Sequence, residues 1–259
     1  MIERTSHGGQ FDVPADRTAL LERIRGSLDG AKSLRDSMRS DAQRAADRTA
    51  LRAWQAARLE RTYADLLSDP RHRAAAQFFL SDLYGTKDFT ERDEEIARIV
   101  PTLAAVLPLG AVQSLALAVE LDALSEELDA QLLAQLKARA GAGPLAINTA
   151  AYATAYRTCC GRAARERQIA LVDTIGRLLD RVAHKALVSA AMEVMRGPAH
   201  LAGLAELHEF LQRGLSAFRG MQGAEVFLET VRARESAIMI RLFAGDPDPF
   251  RPQPAAAAT

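Results

Sequence analysis

Ile99-Val100-Pro101-Thr102-Leu103-Ala104-Ala105-Val106-Leu107-Pro108-Leu109-Gly110-Ala111-Val112-Gln113-Ser114-Leu115-Ala116-Leu117-Ala118-Val119 contains no charged side chain. At the roughly 20 residues a bilayer span requires, it is long enough to be read as a membrane helix. Its composition argues against that. Pro101, Pro108, Gly110, Gln113 and Ser114 interrupt the run, and Pro108-Leu109-Gly110 reads as a break between two helices. The apolar rhythm also continues into charged sequence on both sides. Ile96, Ile99, Val100, Leu103 and Leu107 precede the break, and Leu117, Leu121, Leu124, Leu128 and Leu132 follow it. A stripe that enters from one amphipathic helix and leaves through another predicts a buried helical hairpin over residues 91–139 rather than a membrane span.

The rest of the chain uses the same palette. Of 259 residues, 48% are hydrophobic but only 5% aromatic, and Ala and Leu dominate the apolar set. Those two residues lose little on entering a helix, whereas β-branched and aromatic residues lose more. No run of alternating Val, Ile, Thr and Tyr reads as a strand. The expected fold is all-α, a single bundle-like domain of about eight helices built around the central apolar hairpin. Residues 1–14 are expected to be a flexible arm, 15–244 the helical domain, and 245–259, rich in Pro and Ala, a disordered tail. Gly141-Ala142-Gly143-Pro144 is the clearest linker and marks a subdivision at 141–144, though an interhelical turn fits better.

Within the domain, Asp16 is placed to cap a first helix carrying Leu20, Leu21, Ile24 and Leu28, which loosens near Gly30. A second helix spans 41–67. A third starts at Asp69-Pro70, with Gly85 as its stop. A helix over 163–195 has Ile169, Val172, Gly176, Leu179, Ala183 and Leu187 as its buried face and is broken by Gly197-Pro198. Leu201, Leu204, His208, Leu211, Leu215 and Phe218 then form the most regular seam in the chain, in alternating steps of three and four.

Lys plus Arg and Asp plus Glu both number 33, so the formal net charge is zero, and no basic excess points to nucleic acid. The two cysteines, Cys159 and Cys160, are adjacent and are expected to be reduced thiols. With no signal-peptide layout at the start, the expected compartment is cytoplasmic, with no membrane association.

The densest candidate site is Phe78-Phe79-Leu80-Ser81-Asp82-Leu83-Tyr84-Gly85-Thr86-Lys87-Asp88-Phe89-Thr90-Glu91-Arg92-Asp93. It reads as a helix end, a tight corner and a helix start. Gly85 permits the left-handed backbone of a corner, and Asp88 and Asp93 favour the positive end of the next helix. Arg92 is placed to clamp Asp82 or Asp88. The bland alternative is a corner tied for structure alone; the functional one is a ligand or partner site using Asp82, Tyr84, Asp88, Arg92 and Asp93. The segment resembles a feature, FFL-x-DLYG-x-x-DF-x-x-RD, shared by a family of uncharacterised bacterial helical proteins. The likeness extends more loosely to Gly214–Phe218 and Gly223–Glu235. It implies an all-helical fold and supplies neither an activity nor catalytic residues.

Other candidates are sparser. His208 lies on the apolar seam, where it is a ligand candidate for haem or else a satisfied core histidine. Asp180 and His184 are four residues apart, spaced as an acid–base pair or as a surface ion pair. Glu120, Asp122, Glu126, Glu127 and Asp129 are expected to form a solvated acidic face. Arg157, Arg162, Arg165 and Arg167 cluster around the cysteines as an anion site or a polar helix junction. Zinc, di-iron, phosphate-loop and nucleophile-elbow patterns are missing. Three functions remain as expectations: a non-enzymatic interaction or regulatory protein, with a protein partner or self-association; a small-ligand or haem-binding helical protein; and an enzyme with an unrecognised site at residues 82–93.

Overall fold

The computed structural model describes residues 16–83, 94–100, 102, 109–141 and 145–252, with the side chains of residues 82 and 83 outside that set. Capping begins the chain's order. The Asp16 carboxylate accepts from the Ala19 amide at 3.0 Å, starting α1 (Arg17–Arg39) as its position predicts. Asp41 does the same for α2 (Ala42–Thr62) through the Arg44 amide at 2.8 Å. The short α3 (Ala64–Ser68) and α4 (Arg73–Phe78) follow, and α4 runs into a π-helical turn, Phe79–Leu83. Residues 94–100 form α5. The remainder is α6 (Leu109–Ala140), α7 (Thr149–Cys159), α8 (Arg162–Ala183), α9 (Ala186–Leu201), α10 (Ala205–Gly220) and α11 (Glu225–Ala244). The described residues contain no strand, and the all-α expectation holds.

The described residues hold eleven α-helices where about eight are expected, for local reasons. The helix expected over 41–67 breaks at Tyr63, whose φ of -114° and ψ of 20° leave the helical region. The one expected over 163–195 ends at Ala183. His184 Nδ1 lies 2.9 Å from the Asp180 carbonyl, and the Lys185 amide donates back to the Val182 carbonyl. Conversely, Gly197-Pro198 does not break α9, which runs through it to Leu201. Proline removes one amide donor, and on a helix this exposed water can satisfy the carbonyl left behind. Gly30 does not loosen α1 either.

The apolar side chains gather in three clusters. Leu20, Ile24, Val100, Val112 and Ala116 join α1, α5 and the first half of α6. Val100 and Val112, one from each side of Pro108 in the sequence, share this cluster; residues 101 and 103–108, where the expected hairpin turns, lie outside the described set. No described helix is long and apolar enough to cross a membrane. The second half of α6 contributes Leu132, Leu133 and Leu136 to a cluster with Leu51, Tyr152, Tyr156, Ile238 and Leu242. Residues from both sides of 141–144 therefore share one core, and the subdivision considered there is not adopted. The third cluster joins Tyr63, Phe78, Phe79, Leu215, Phe218, Phe227 and Leu228.

The C-terminal expectation needs correction as well. Residues 245–252 are not a free tail: Phe250 packs edge-on to Trp54 and Tyr152, and Pro249 is fully buried. One partly buried aromatic beside the buried Pro249 gives a Pro-rich segment apolar area to fold back with. The expected arm over residues 1–14 and the tail beyond residue 252 lie outside the described residues.

Candidate functional site

Of the corner at 78–93, the structure describes the entry. Phe78 and Phe79 are buried, and the helix widens there into the π turn. Tyr84, Asp88, Arg92 and Asp93 lie outside the described residues, as does the Asp82 side chain, so their arrangement is not part of the geometry below.

His208 is described, and it is a core residue. Its Nε2 lies 2.8 Å from the Met192 carbonyl, so that nitrogen carries the proton, while Nδ1 is buried without a hydrogen-bond partner. The nitrogen best placed to ligate a haem iron is thus spent on the backbone of α9. Beside it, a cleft of about 370 Å³ is lined by Arg196, His200, Glu209 and Gln212. No group of three or more His, Cys, Asp or Glu side chains among the described residues is arranged to hold a metal ion. His184 Nδ1 lies 3.6 Å from Asp180 Oδ1, the i,i+4 ion-pair spacing, and 2.9 Å from the Asp180 backbone carbonyl.

The acidic run on α6 is a solvated face only in part: Glu127 is exposed, while Glu120, Asp122, Glu126 and Asp129 have partners within the protein. Glu126 is buried and receives three guanidinium groups: Arg35 Nε at 3.2 Å, Arg48 Nη2 at 2.7 Å and Arg52 Nη2 at 2.7 Å. Asp122 takes Arg35 at 2.5 Å, and Glu120 takes Arg23 from α1 and Arg167 from α8. Burial pushes the Glu126 carboxyl up, but Arg52, Arg48 and Arg35 more than offset it and hold its pKa below the usual value. Asp129 is the opposite case. It keeps some residue exposure, yet protein surrounds its carboxyl, and burial raises its pKa against the pull of a Gln55 hydrogen bond and of Arg165 and Arg52.

The basic cluster near the cysteines joins the same layer. Arg165 is buried, 4.4 Å over the Tyr156 ring and 3.6 Å from Cys160 Sγ. Cys159 and Cys160 are paired sulfur to sulfur, where reduced thiols are expected from sequence. At the far end Arg58 and the Tyr63 hydroxyl both donate to Glu235 Oε1, at 2.7 and 2.8 Å. This arrangement ties α1, α2, α6, α8 and α11 by charge. Within this layer Glu120, Glu126 and Glu235 each receive arginine guanidinium groups, while the buried Nε atoms of Arg58 and Arg165 have no hydrogen-bond partner.

The surface feature that sequence reading misses is α9. Only Ala199 of this helix is buried. Leu187 is 81% exposed, Val194 73%, Met195 51% and Leu201 92%. At 100° per residue, Leu187, Ala191, Val194, Pro198 and Leu201 lie on one solvent-facing stripe, with Val188, Met192 and Ala199 turned toward the body. Leu187 therefore belongs to an outward face and not to the buried face assigned to it. The break at Ala183 is the reason, because it resets the helical phase. The adjoining seam on α10 is spent internally only in part: His208, Leu215 and Phe218 are buried, Leu211 is 43% exposed, and Gly214 meets Phe78 so closely that a Cβ would lie 2.8 Å from its ring. The signal for α9 was present as Leu187, Val194 and Leu201 at sevens.

Comparison with known proteins gives one match. A family model described as "Domain of unknown function (DUF8198)" matches residues 34–249. No curated protein and no solved structure matches the chain.

Proposed function

We propose that this chain, which belongs to the DUF8198 family, is a non-enzymatic helical interaction protein that docks a partner on the outer face of α9. One observation carries the proposal: three large apolar side chains on one stripe, Leu187, Val194 and Leu201, with Met195 exposed beside it, stand in water on a helix with a single buried residue. Scattered exposed leucines are ordinary, but a contiguous stripe of this kind marks an interaction surface. The polar groups around it, Glu193, Arg196, His200 and Gln212, form the hydrophilic rim typical of such patches.

The test is a photo-reactive amino acid placed at Val194 in the full chain, in the cell that produces it. The same label at Glu127, exposed on α6, is the control. A discrete adduct from residue 194 and none from 127 is the expected result. A folded protein that gives no adduct at 194 removes the proposal.

A second function keeps one supporting observation. The cleft lined by Arg196, His200, His208, Glu209 and Gln212 is the candidate place for a small ligand. The enzyme hypothesis rests on Asp82, Asp88, Arg92 and Asp93, outside the described side chains.

A further inference from the structure

We infer that Cys160 is a peroxide-reactive thiolate and Cys159 its resolving partner, so that the corner between α7 and α8 is a site of reversible oxidation. The site is independent of the docking surface on α9. α7 ends at Cys159, and Cys160 leaves the helix with a φ of -145° and a ψ of 150°. Gly161 then caps the start of α8. Both cysteines are half-buried, within reach of a small oxidant. Their surroundings differ. Cys159 Sγ lies 3.7 Å from the Tyr156 carbonyl, an acceptor that suits a protonated thiol. Cys160 Sγ lies 3.6 Å from Arg165 Nη2, a cationic donor that suits a thiolate, the form of cysteine that attacks.

Arg165 is the group that calls for an anion here. It is only 5% exposed, and a buried guanidinium is costly unless a negative group answers it. Among the described residues its contacts are with neutral groups: Gln168 Oε1 at 3.2 Å, the Tyr156 ring at 4.4 Å and the Cys160 sulfur. Its Nε is buried without a hydrogen-bond partner. Asp129 senses the charge, but burial raises its pKa and favours the protonated form, so it does not cancel Arg165. The start of α8 acts in the same direction. This helix of 22 residues has no acidic residue in its first turn and no side-chain cap, which leaves its positive end unneutralised one residue beyond Cys160. A thiolate at Cys160 answers both charges.

The Cys160 thiolate attacks one oxygen of hydrogen peroxide. The S–O bond forms, the O–O bond breaks, and the departing hydroxide takes a proton from solvent, leaving a sulfenic acid. The Cys159 sulfur, which the structure pairs with that of Cys160, then attacks the sulfenic sulfur. The S–S bond forms, the S–O bond breaks, and hydroxide leaves as water with the Cys159 proton. Two electrons pass from the thiols to the peroxide, and a thiol reductant returns them.

Hydrogen peroxide added to the reduced full chain, quenched over time and read by intact mass, tests this. Cys159 and Cys160 are the chain's two cysteines, so closure within one chain reports this pair alone. The wild type is expected to lose the mass of two hydrogens, and dithiothreitol to restore it. The folded chain is expected to react about three- to tenfold faster than the same chain in urea, because a gain in thiolate is partly offset by the lower nucleophilicity of a stabilised sulfur. Cys159→Ala is expected to keep the first step and stop at a sulfenic acid that dimedone traps. Cys160→Ala and Arg165→Gln are expected to fall to the rate in urea, and Arg165→Lys to retain the charge and most of the rate. A folded wild type that reacts no faster than the unfolded chain overturns the inference, with no variant needed. So does a Cys160→Ala protein as reactive as Cys159→Ala, or a folded Arg165→Gln protein at the wild-type rate. Oxidation that joins two chains on a non-reducing gel, in place of closure within one, overturns Cys159 as the resolving group.

Discussion

Replacing Glu126 by Gln isolates what the ionic layer contributes. The substitution keeps the shape and one acceptor oxygen but removes the single charge on which Arg35, Arg48 and Arg52 converge at 2.7–3.2 Å. Taking one partner from a buried ion pair costs about 3–5 kcal/mol, because the remaining charge stays buried and unanswered. Here the three arginine side chains retain 12%, 21% and 21% exposure, so water recovers part of the loss. The expected destabilisation is therefore about 2–4 kcal/mol at neutral pH, or on the order of 5–15 °C in Tm for a domain of this size. Urea unfolding followed by circular dichroism measures it. The pH dependence supplies a second, independent sign. Because the folded pKa of Glu126 is depressed, its contribution is present above the unfolded pKa and is lost as pH falls through the folded value. Wild type and Glu126→Gln should thus differ most near neutrality and converge in acid. A difference below about 0.5 kcal/mol at pH 7, or one that stays constant down to pH 3, would show that the layer is not held by this carboxylate.

Three further outcomes follow from neighbouring geometry. Asp129→Asn keeps an acceptor for the Gln55 amide at 2.9 Å while removing a carboxyl whose raised pKa favours the protonated form. Its stabilising share is complete below the unfolded pKa and is lost as pH rises through the folded one, so the variant should match or exceed wild-type stability at neutral pH. A neutral-pH loss of more than about 1 kcal/mol in urea unfolding would refute this. Gly214→Ala should lower Tm, because its Cβ would lie 2.8 Å from Phe78 Cζ in a packed core; overpacking costs about 1–3 kcal/mol. Gly30→Ala on α1 meets nothing within 4 Å and should raise stability by about 0.5–1 kcal/mol, so equal effects of the two in thermal melts would contradict the packing assigned to Gly214. Haem added to the chain should give no Soret shift that depends on His208, because Nε2 is engaged by the Met192 carbonyl at 2.8 Å; a shift lost in His208→Ala would reverse that.

The helical class was legible because it rests on local rhythm. Asp16 and Asp41 cap where a short polar side chain precedes an apolar period, and the residues flanking Pro108 enter one cluster because a stripe continues through the break. What the sequence hid is long-range. Glu126 looks like any solvated glutamate until Arg35 and Arg48, 91 and 78 residues away, are brought onto it. Phe250 looked like part of a polar tail, since a single aromatic carries no period, and only the Trp54 and Tyr152 rings across the chain give it a place. For α9 the error was one of phase. The break at Ala183 depends on where the His184 ring and the Lys185 amide find acceptors, and no spacing rule anticipates it. Leu187 was consequently carried on the wrong face.

These two misplacements have one physical consequence in common. Charged side chains on α2 and α6 are spent inside, where the Arg48 and Arg52 guanidinium groups meet Glu126, while apolar side chains on α9 remain outside. The ionic layer and the exposed apolar face of α9 therefore occupy separate parts of the molecule. Side chains of the ionic layer lie between helices, so removing a charge there loosens the contacts among α1, α2 and α6. Leu187, Val194 and Leu201 contact little of the fold, so replacing them changes the surface and leaves the core intact. Distant sites without shared partners are additive to within about 0.5 kcal/mol. A Glu126→Gln, Val194→Glu double variant should accordingly lose stability by the first substitution's amount and docking on α9 by the second's. Coupling well beyond that limit would mean that α9 takes part in holding the body together, and its exposed seam would then need a structural explanation in place of a partner.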